Sequence, residues 1–98
     1  MTGIQQTSSM PTVFFLHQNY PNPFNPTTTI RIDLPHAAKV KLEIFNILGQ
    51  RVAILLNEHK PAGHHEVKFD GREFASGVYF YRIQTTEFTA IKKMLLMQ

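Results

Sequence analysis

Residues 19–32, reading NYPNPFNPTTTIRI, restrict the fold more than any other stretch of this chain. Half of the six prolines, Pro21, Pro23 and Pro26, fall inside it, interleaved with Asn19, Asn22 and Asn25. Each proline fixes φ at about −65°, removes a backbone donor and pushes the residue before it toward extended conformations. The run can be neither helix nor interior strand. It is expected to be a stiff, extended lead-in whose asparagine amides bond nearby backbone groups. Tyr20 and Phe24, held at fixed spacing, are expected to clasp onto a core. From Thr27 onward the chemistry changes to that of a strand.

With 98 residues, 43% of them hydrophobic, and eight Phe and three Tyr, the chain suits one folded domain. Residues 1–12 are polar and expected to be a disordered linker or tag remnant; residues 13–98 form the domain. No apolar run is long enough to span a bilayer, and MTGIQQTSSM lacks the basic start and apolar stretch of a secretory signal. Cysteine is absent, so a disulfide framework is excluded. The formal charge of +3 is modest, and Lys92-Lys93 is the one adjacent basic pair. The footprint of a nucleic-acid binder is missing.

The rest of the chain alternates with a period of two. A short apolar strand at residues 13–16 leads into the proline stretch. In residues 27–34, Ile30, Ile32 and Leu34 face one way, with Arg31 and Asp33 opposite. In residues 39–46, Val40, Leu42 and Ile44 point inward, with Lys41 and Glu43 outward. Asn46 and Gly49 supply a turn: an asparagine bonding the backbone two residues on, then a glycine free to take positive φ. A strand over residues 50–56 gives way to a polar bend at 57–63. The next strand, residues 64–70, directs His65, Val67 and Phe69 inward. Residues 75–77, with Gly77, deliver the chain to the aromatic strand 78–83, and residues 88–97 form the last. Seven short, evenly spaced strands without a helix predict an all-β, seven-stranded antiparallel sandwich. Tyr79, just after Gly77, is placed as a corner tyrosine. Arg31 and Asp33 complement Glu43 and Lys41 in a simple hairpin, and equally Glu66 and Lys68 in a Greek key; architecture favours the Greek key.

Catalytic and metal-binding parts do not assemble. Among the histidines, His64 and His65 are neighbours that point to opposite faces of a strand, and His17, His36 and His59 stand apart. Ser8, Ser9 and Ser76 lie in no nucleophile elbow, Ser76 reading as part of a turn. No carboxylate pair and no phosphate-cradling glycine loop is present. No cofactor, metal or catalytic residue is expected. Tyr79 and Tyr81 share a face, which an aromatic glycan-binding stripe would expose and a packed core would bury.

The ordered set N-Y-P-N-P-F-N-P-T-T (19–28), F-N-I-L-G-Q (45–50), the strand at 63–70 with Gly71-Arg72, S-G-V-Y-F-Y-R (76–82) and K-K-M-L-L (92–96) resembles the C-terminal sorting domain of the type IX (Por) secretion system. The likeness is to its type A branch, an immunoglobulin-like sandwich similar to that of the flagellar hook-capping protein. The resemblance implies a non-enzymatic address label that directs a larger cargo through an outer-membrane translocon to the cell surface. It implies the translocon, a shuttle protein and a sortase as partners, with cargo domains N-terminal to the label. Secretion would run through the periplasm, with a Sec signal on the precursor that is not seen here. The alternatives are a carbohydrate-binding or adhesive module of a surface enzyme, or a structural immunoglobulin-like spacer.

For such a label the last strand is the candidate recognition element. Lys92, Lys93, Met94, Leu95 and Leu96 would be read by strand addition at a sheet edge. Equally, Met94 and Leu96 would be core and the lysines would guard the edge against aggregation. Processing is expected at residues 7–12 or upstream, because a paired backbone resists proteases. Intact-mass analysis of native secreted protein checks this; cleavage inside residues 30–34 would overturn it.

Overall fold

A computed structural model describes residues 10–98; most of the tail expected at 1–12 lies outside the described residues. Seven strands follow in order: β1 Phe15–Leu16, β2 Thr27–Leu34, β3 Ala38–Phe45, β4 Arg51–Lys60, β5 Gly63–Asp70, β6 Gly77–Gln84 and β7 Thr89–Leu96. They form two antiparallel sheets, β1-β2-β5 and β4-β3-β6-β7. β2 therefore pairs with β5, not with β3. Of the two charge-compatible arrangements the Greek key is the one adopted, with Arg31 opposite Glu66 and Asp33 opposite His64. Lys68 lies opposite Thr29, so the expected Asp33–Lys68 match does not form.

Alternating side chains of β2, β3 and β6 build most of the core. Ile30, Ile32 and Leu34 from β2 meet Val40, Leu42 and Ile44 from β3 and Tyr79, Tyr81 and Ile83 from β6, all buried. Leu16, Phe24, Phe69, Met94 and Leu96 complete the cluster. Each fully buried aliphatic side chain contributes about 1.5–3 kcal/mol relative to exposure. A one-residue slip would turn every one of these groups to solvent, so the register is fixed by the sequence pattern.

β4 corrects one boundary. The strand runs to Lys60, because residues 57–60 continue the ladder opposite residues 38–41. The polar bend expected at 57–63 shrinks to Pro61-Ala62. Polar side chains are no bar to a strand whose edge and outer face meet water. The Asn46 turn forms as expected: its Oδ1 accepts from the N–H groups of Leu48 (2.9 Å) and Gln50 (3.0 Å), and Gly49 takes φ 80°. Gly77 likewise sits at φ 147°, and the Tyr79 hydroxyl donates to Ala75 O at 2.7 Å, closing the tyrosine corner.

The proline stretch is not the extended rod expected. Residues 21–23 and 25–26 are bends, and the three X–Pro peptides are cis. The segment has to pair twice: Tyr20 bridges Thr29 of β2, and Phe24 bridges Leu96 of β7. Phe24 clasps the core at 1% exposure, but Tyr20 is 81% exposed and clasps nothing. The segment is instead tied down by polar groups. Asn19, buried, donates from Nδ2 to Thr28 Oγ1 (3.0 Å) and Pro21 O (3.1 Å), and Thr28 Oγ1 donates to Pro21 O (2.8 Å). Asn22 bonds β7, as described below, whereas Asn25 is exposed.

Tyr81 carries this arrangement into the core. Its hydroxyl donates to His17 O (2.7 Å) and accepts from Asn19 N–H (2.8 Å). Burial pushes the phenol up to about 12, outweighing the opposing effect of the Asn19 N–H. Tyr81→Phe keeps the ring and strands both backbone groups. It is expected to lower unfolding free energy by about 1–3 kcal/mol in urea titration; a loss below about 0.5 kcal/mol, the usual scatter of neutral surface changes, would refute the role.

Candidate functional site

β7 lies at the edge of the four-stranded sheet and pairs with β6 over its whole length in unbroken register, from Thr89 opposite Gln84 to Leu96 opposite Gly77. On an edge strand every second residue directs its N–H and C=O away from the sheet. In β7 these residues are Thr89, Ile91, Lys93 and Leu95.

The proline segment covers half of that edge. Asn22 Oδ1 accepts from Leu95 N–H (3.0 Å), and Phe24 N–H donates to Leu95 O (2.9 Å). Met97 N–H donates to Phe24 O (2.9 Å), and Gln18 Nε2 donates to Lys93 O (2.7 Å). Beyond this cover, the outward groups of Thr89 and Ile91 and the N–H of Lys93 have no partner among the described residues.

The five residues singled out in this strand separate cleanly. Met94 and Leu96 are 1% and 0% exposed, packed in the core, so their side chains are not open to a partner. Lys92, half-buried, stands opposite Tyr81 on the inner face. Lys93 is exposed and Leu95 half-buried, both on the outer face, and Leu95's backbone is already covered. Ile91, 59% exposed, belongs with Lys93 in the open stretch. It is a hydrophobic residue presented to water, which a binary pattern alone treats as core. The chain end is latched as well. Gln98 N–H donates to Ser76 Oγ (2.9 Å), which donates back to Gln98 O (3.1 Å), while Gln98 Nε2 donates to Gly71 O and Phe74 O. Ser76 thus anchors the terminus rather than only shaping a turn.

Two carboxylates on outer faces are buried by their partners, and sequence reading missed both clusters. Glu43, 1% exposed, accepts from Arg82 Nη2 (2.8 Å) and Arg51 Nη1 (3.1 Å), with Lys41 Nζ at 3.6 Å. Asp33 accepts from His64 Nδ1 (2.6 Å) and His17 Nε2 (2.7 Å), which fixes a proton on each of those nitrogens. Burial acts to raise the Asp33 carboxyl, but the two imidazole bonds prevail and hold it below its ordinary value. Burial likewise opposes Glu43, and the Arg82 and Arg51 bonds prevail. Cross-strand neighbours 16, 31 and 39 residues apart carry no signal in a linear reading. Neither cluster has a nucleophile beside it; both join strands.

Tyr79 and Tyr81 are buried, 8% and 0% exposed, so no tyrosine stripe faces a glycan. Among the described residues, no group of three or more His, Cys, Asp or Glu is placed to hold a metal ion.

Against known proteins, the model of a family described as "Secretion system C-terminal sorting domain" matches residues 18–97. Among solved structures the chain is similar to PorZ, described as an essential bacterial surface component of the type IX secretion system of Porphyromonas gingivalis. The identity is 20% and the TM-score 0.57, over 87% of this chain and 11% of that one. The likeness is one of fold, and the chain spans about a ninth of that protein's length. No curated protein matches it.

Both carboxylates have folded-state pKa values below their ordinary 3.8 (Asp33) and 4.5 (Glu43). The unfolded chain therefore binds these protons more readily. The stabilisation is complete above the ordinary values and is lost as pH falls through the lower folded ones. Chemical unfolding between about pH 5 and pH 3 should show a falling stability that Asp33→Asn and Glu43→Gln each flatten. An unchanged acid slope in both variants would contradict the assignment.

Proposed function

The chain belongs to the secretion system C-terminal sorting domain family, and on that premise we propose that its open β7 edge is what the secretion machinery reads. The domain is a C-terminal sorting signal of the type IX system, and it marks the protein that carries it as secreted or cell-surface. Its family is one of signal domains rather than catalysts. The translocon, a shuttle protein and a sortase are the partners this reading assigns, with cargo joined on the N-terminal side and export by way of a Sec signal and the periplasm. The domain itself supplies recognition and no catalysis.

One observation carries the choice of edge: β7 offers unpaired backbone at Thr89, at Ile91 and at the N–H of Lys93 in an unbroken, regularly paired strand. β4, the opposite edge of the same sheet, has irregular register between Leu42 and Glu43 and between Ile44 and Phe45. Such bulges twist an edge away from partners. β5 edges the other sheet with exposed His64, Glu66 and Lys68, charged or polar groups of the kind that protect an edge. Strand addition along β7 provides affinity through main-chain bonds and selectivity through the alternate side chains.

Removing residues 92–98 would not test this, since Met94 and Leu96 leave the core with them. Ile91→Pro is more selective. Residue 91 directs its N–H away from β6, so proline deletes the outward donor without removing a bond of the sheet. A reporter with a Sec signal, fused to this domain in a type IX host, should reach the surface. The Ile91→Pro form, shown by melting to be folded, should reach it about tenfold less. Undiminished delivery of a folded Ile91→Pro reporter would remove β7 from the recognition role.

A further inference from the structure

The outer face of the four-stranded sheet holds a groove of about 430 Å³ beside the open stretch of β7, floored by Phe45, Ile47, Phe80 and Ile91. The two phenylalanines face each other across β3 and β6, and Ile91 lies opposite Arg82. Phe45 and Phe80 are half-buried, and the two isoleucines stand in solvent. Ile47 is 70% exposed and Ile91 59%.

Its rim is cationic. Arg82, also in the groove wall, lies over the Phe45 ring at 4.9 Å. Arg82, Arg51 and Lys41 share one carboxylate, Glu43. Lys93, opposite Phe80, has no carboxylate within ion-pair distance among the described residues. Three cations thus share one buried carboxylate, and Lys93 adds a fourth on the same face without a carboxylate of its own. Arg82 is under-used: Nη2 bonds Glu43, while its buried Nε has no partner.

We propose that this groove and the open β7 edge together form one docking site for an extended segment of a partner protein, which sets an acidic side chain two residues from an apolar one. The inference rests on reading β7 as the recognised strand and adds the chemistry of what it recognises. A strand laid against residues 89–93 bonds the outward groups of Ile91 and the N–H of Lys93. Its alternate side chains then fall on the same outer face. One lies beside Ile91 at the groove's mouth, and the next lies beside Lys93, whose ammonium has no carboxylate partner among the described residues. The cationic excess selects a carboxylate there. The unpaired backbone argues for a peptide, since a lipid offers the edge no main-chain partner.

The test titrates the folded chain with blocked peptides of about nine residues, threonine throughout except for a valine and a glutamate two residues apart, and with the same peptides carrying lysine for glutamate. The glutamate peptide should bind about tenfold tighter, slow amide exchange at Ile91 and Lys93, and weaken with added salt. Lys93→Glu should abolish the preference, and Ile91→Asp, at an exposed position, should weaken both peptides. Equal affinity for the two peptides, unchanged exchange at residues 91 and 93, or stronger attachment to phosphatidylglycerol vesicles than to peptide would overturn the proposal. Peptide binding is measured apart from export. If it fails while Ile91→Pro still blocks delivery, the groove chemistry falls and β7 recognition stands. If it succeeds while the proline variant is delivered normally, the peptide site stands and its use in sorting falls.

Discussion

The hydroxyl of Tyr81 is the point on which the remaining contacts converge. It sits in the middle of an apolar sandwich, where an unpaired hydroxyl would be costly, and it is satisfied by the backbone of His17 and Asn19. That pair of bonds draws the segment before β2 across the open side of the two sheets. Asn19 then holds Thr28 and Pro21, and the bends that follow carry Phe24 into the core. Prolines remove donors from this stretch, so its backbone makes few demands of its own. Side-chain amides and hydroxyls supply the fastening that a strand would have obtained from a ladder.

The ionic clusters serve a related purpose on the two outer faces. Glu43 joins β3 to β4 through Arg51 and to β6 through Arg82. Asp33 joins β2 to β5 through His64, and to the residue after β1 through His17. Each carboxylate is deeply covered while its cationic or imidazole partners remain part-exposed. The desolvation cost therefore falls mainly on one member of each group and is offset by several charge-assisted bonds. In β3 the same cluster leaves positive charge uncompensated around an apolar surface, which makes a structural device also a chemical feature of the face.

Much of this was legible from the sequence because a β-sandwich writes its core as a period of two. Ile30-Ile32-Leu34 and Val40-Leu42-Ile44 declare their inward faces directly, and Asn46 with Gly49 declares the turn between β3 and β4. The ordered motifs pointed to the sorting-domain family, and the family match over residues 18–97 agrees. What the pattern could not supply is what lies across a sheet from what. Glu43 looks like a solvent-facing charge until Arg51 and Arg82 are placed beside it. Tyr20 and Phe24 look equivalent on a proline rod, yet bends send one into the core and leave the other in water. In the last strand, alternation correctly admits Met94 and Leu96 to the core. It is silent on how far the Asn22–Phe24 segment caps the edge, and hence on Ile91 as the exposed member.

The bonds that close this sandwich join the segment before β2 to its last two strands. Gln18 reaches Lys93 across 75 positions, Asn22 reaches Leu95 across 73, and His17 meets Tyr81 across 64. Contacts so distant in the chain form only after a large loop has been closed, and all-β domains built on them fold in about milliseconds to seconds rather than microseconds. No local fragment gains the seam early. The segment before β2 and the last strand are therefore acquired together, and the edge offered to a partner has its final shape only when the whole domain has formed.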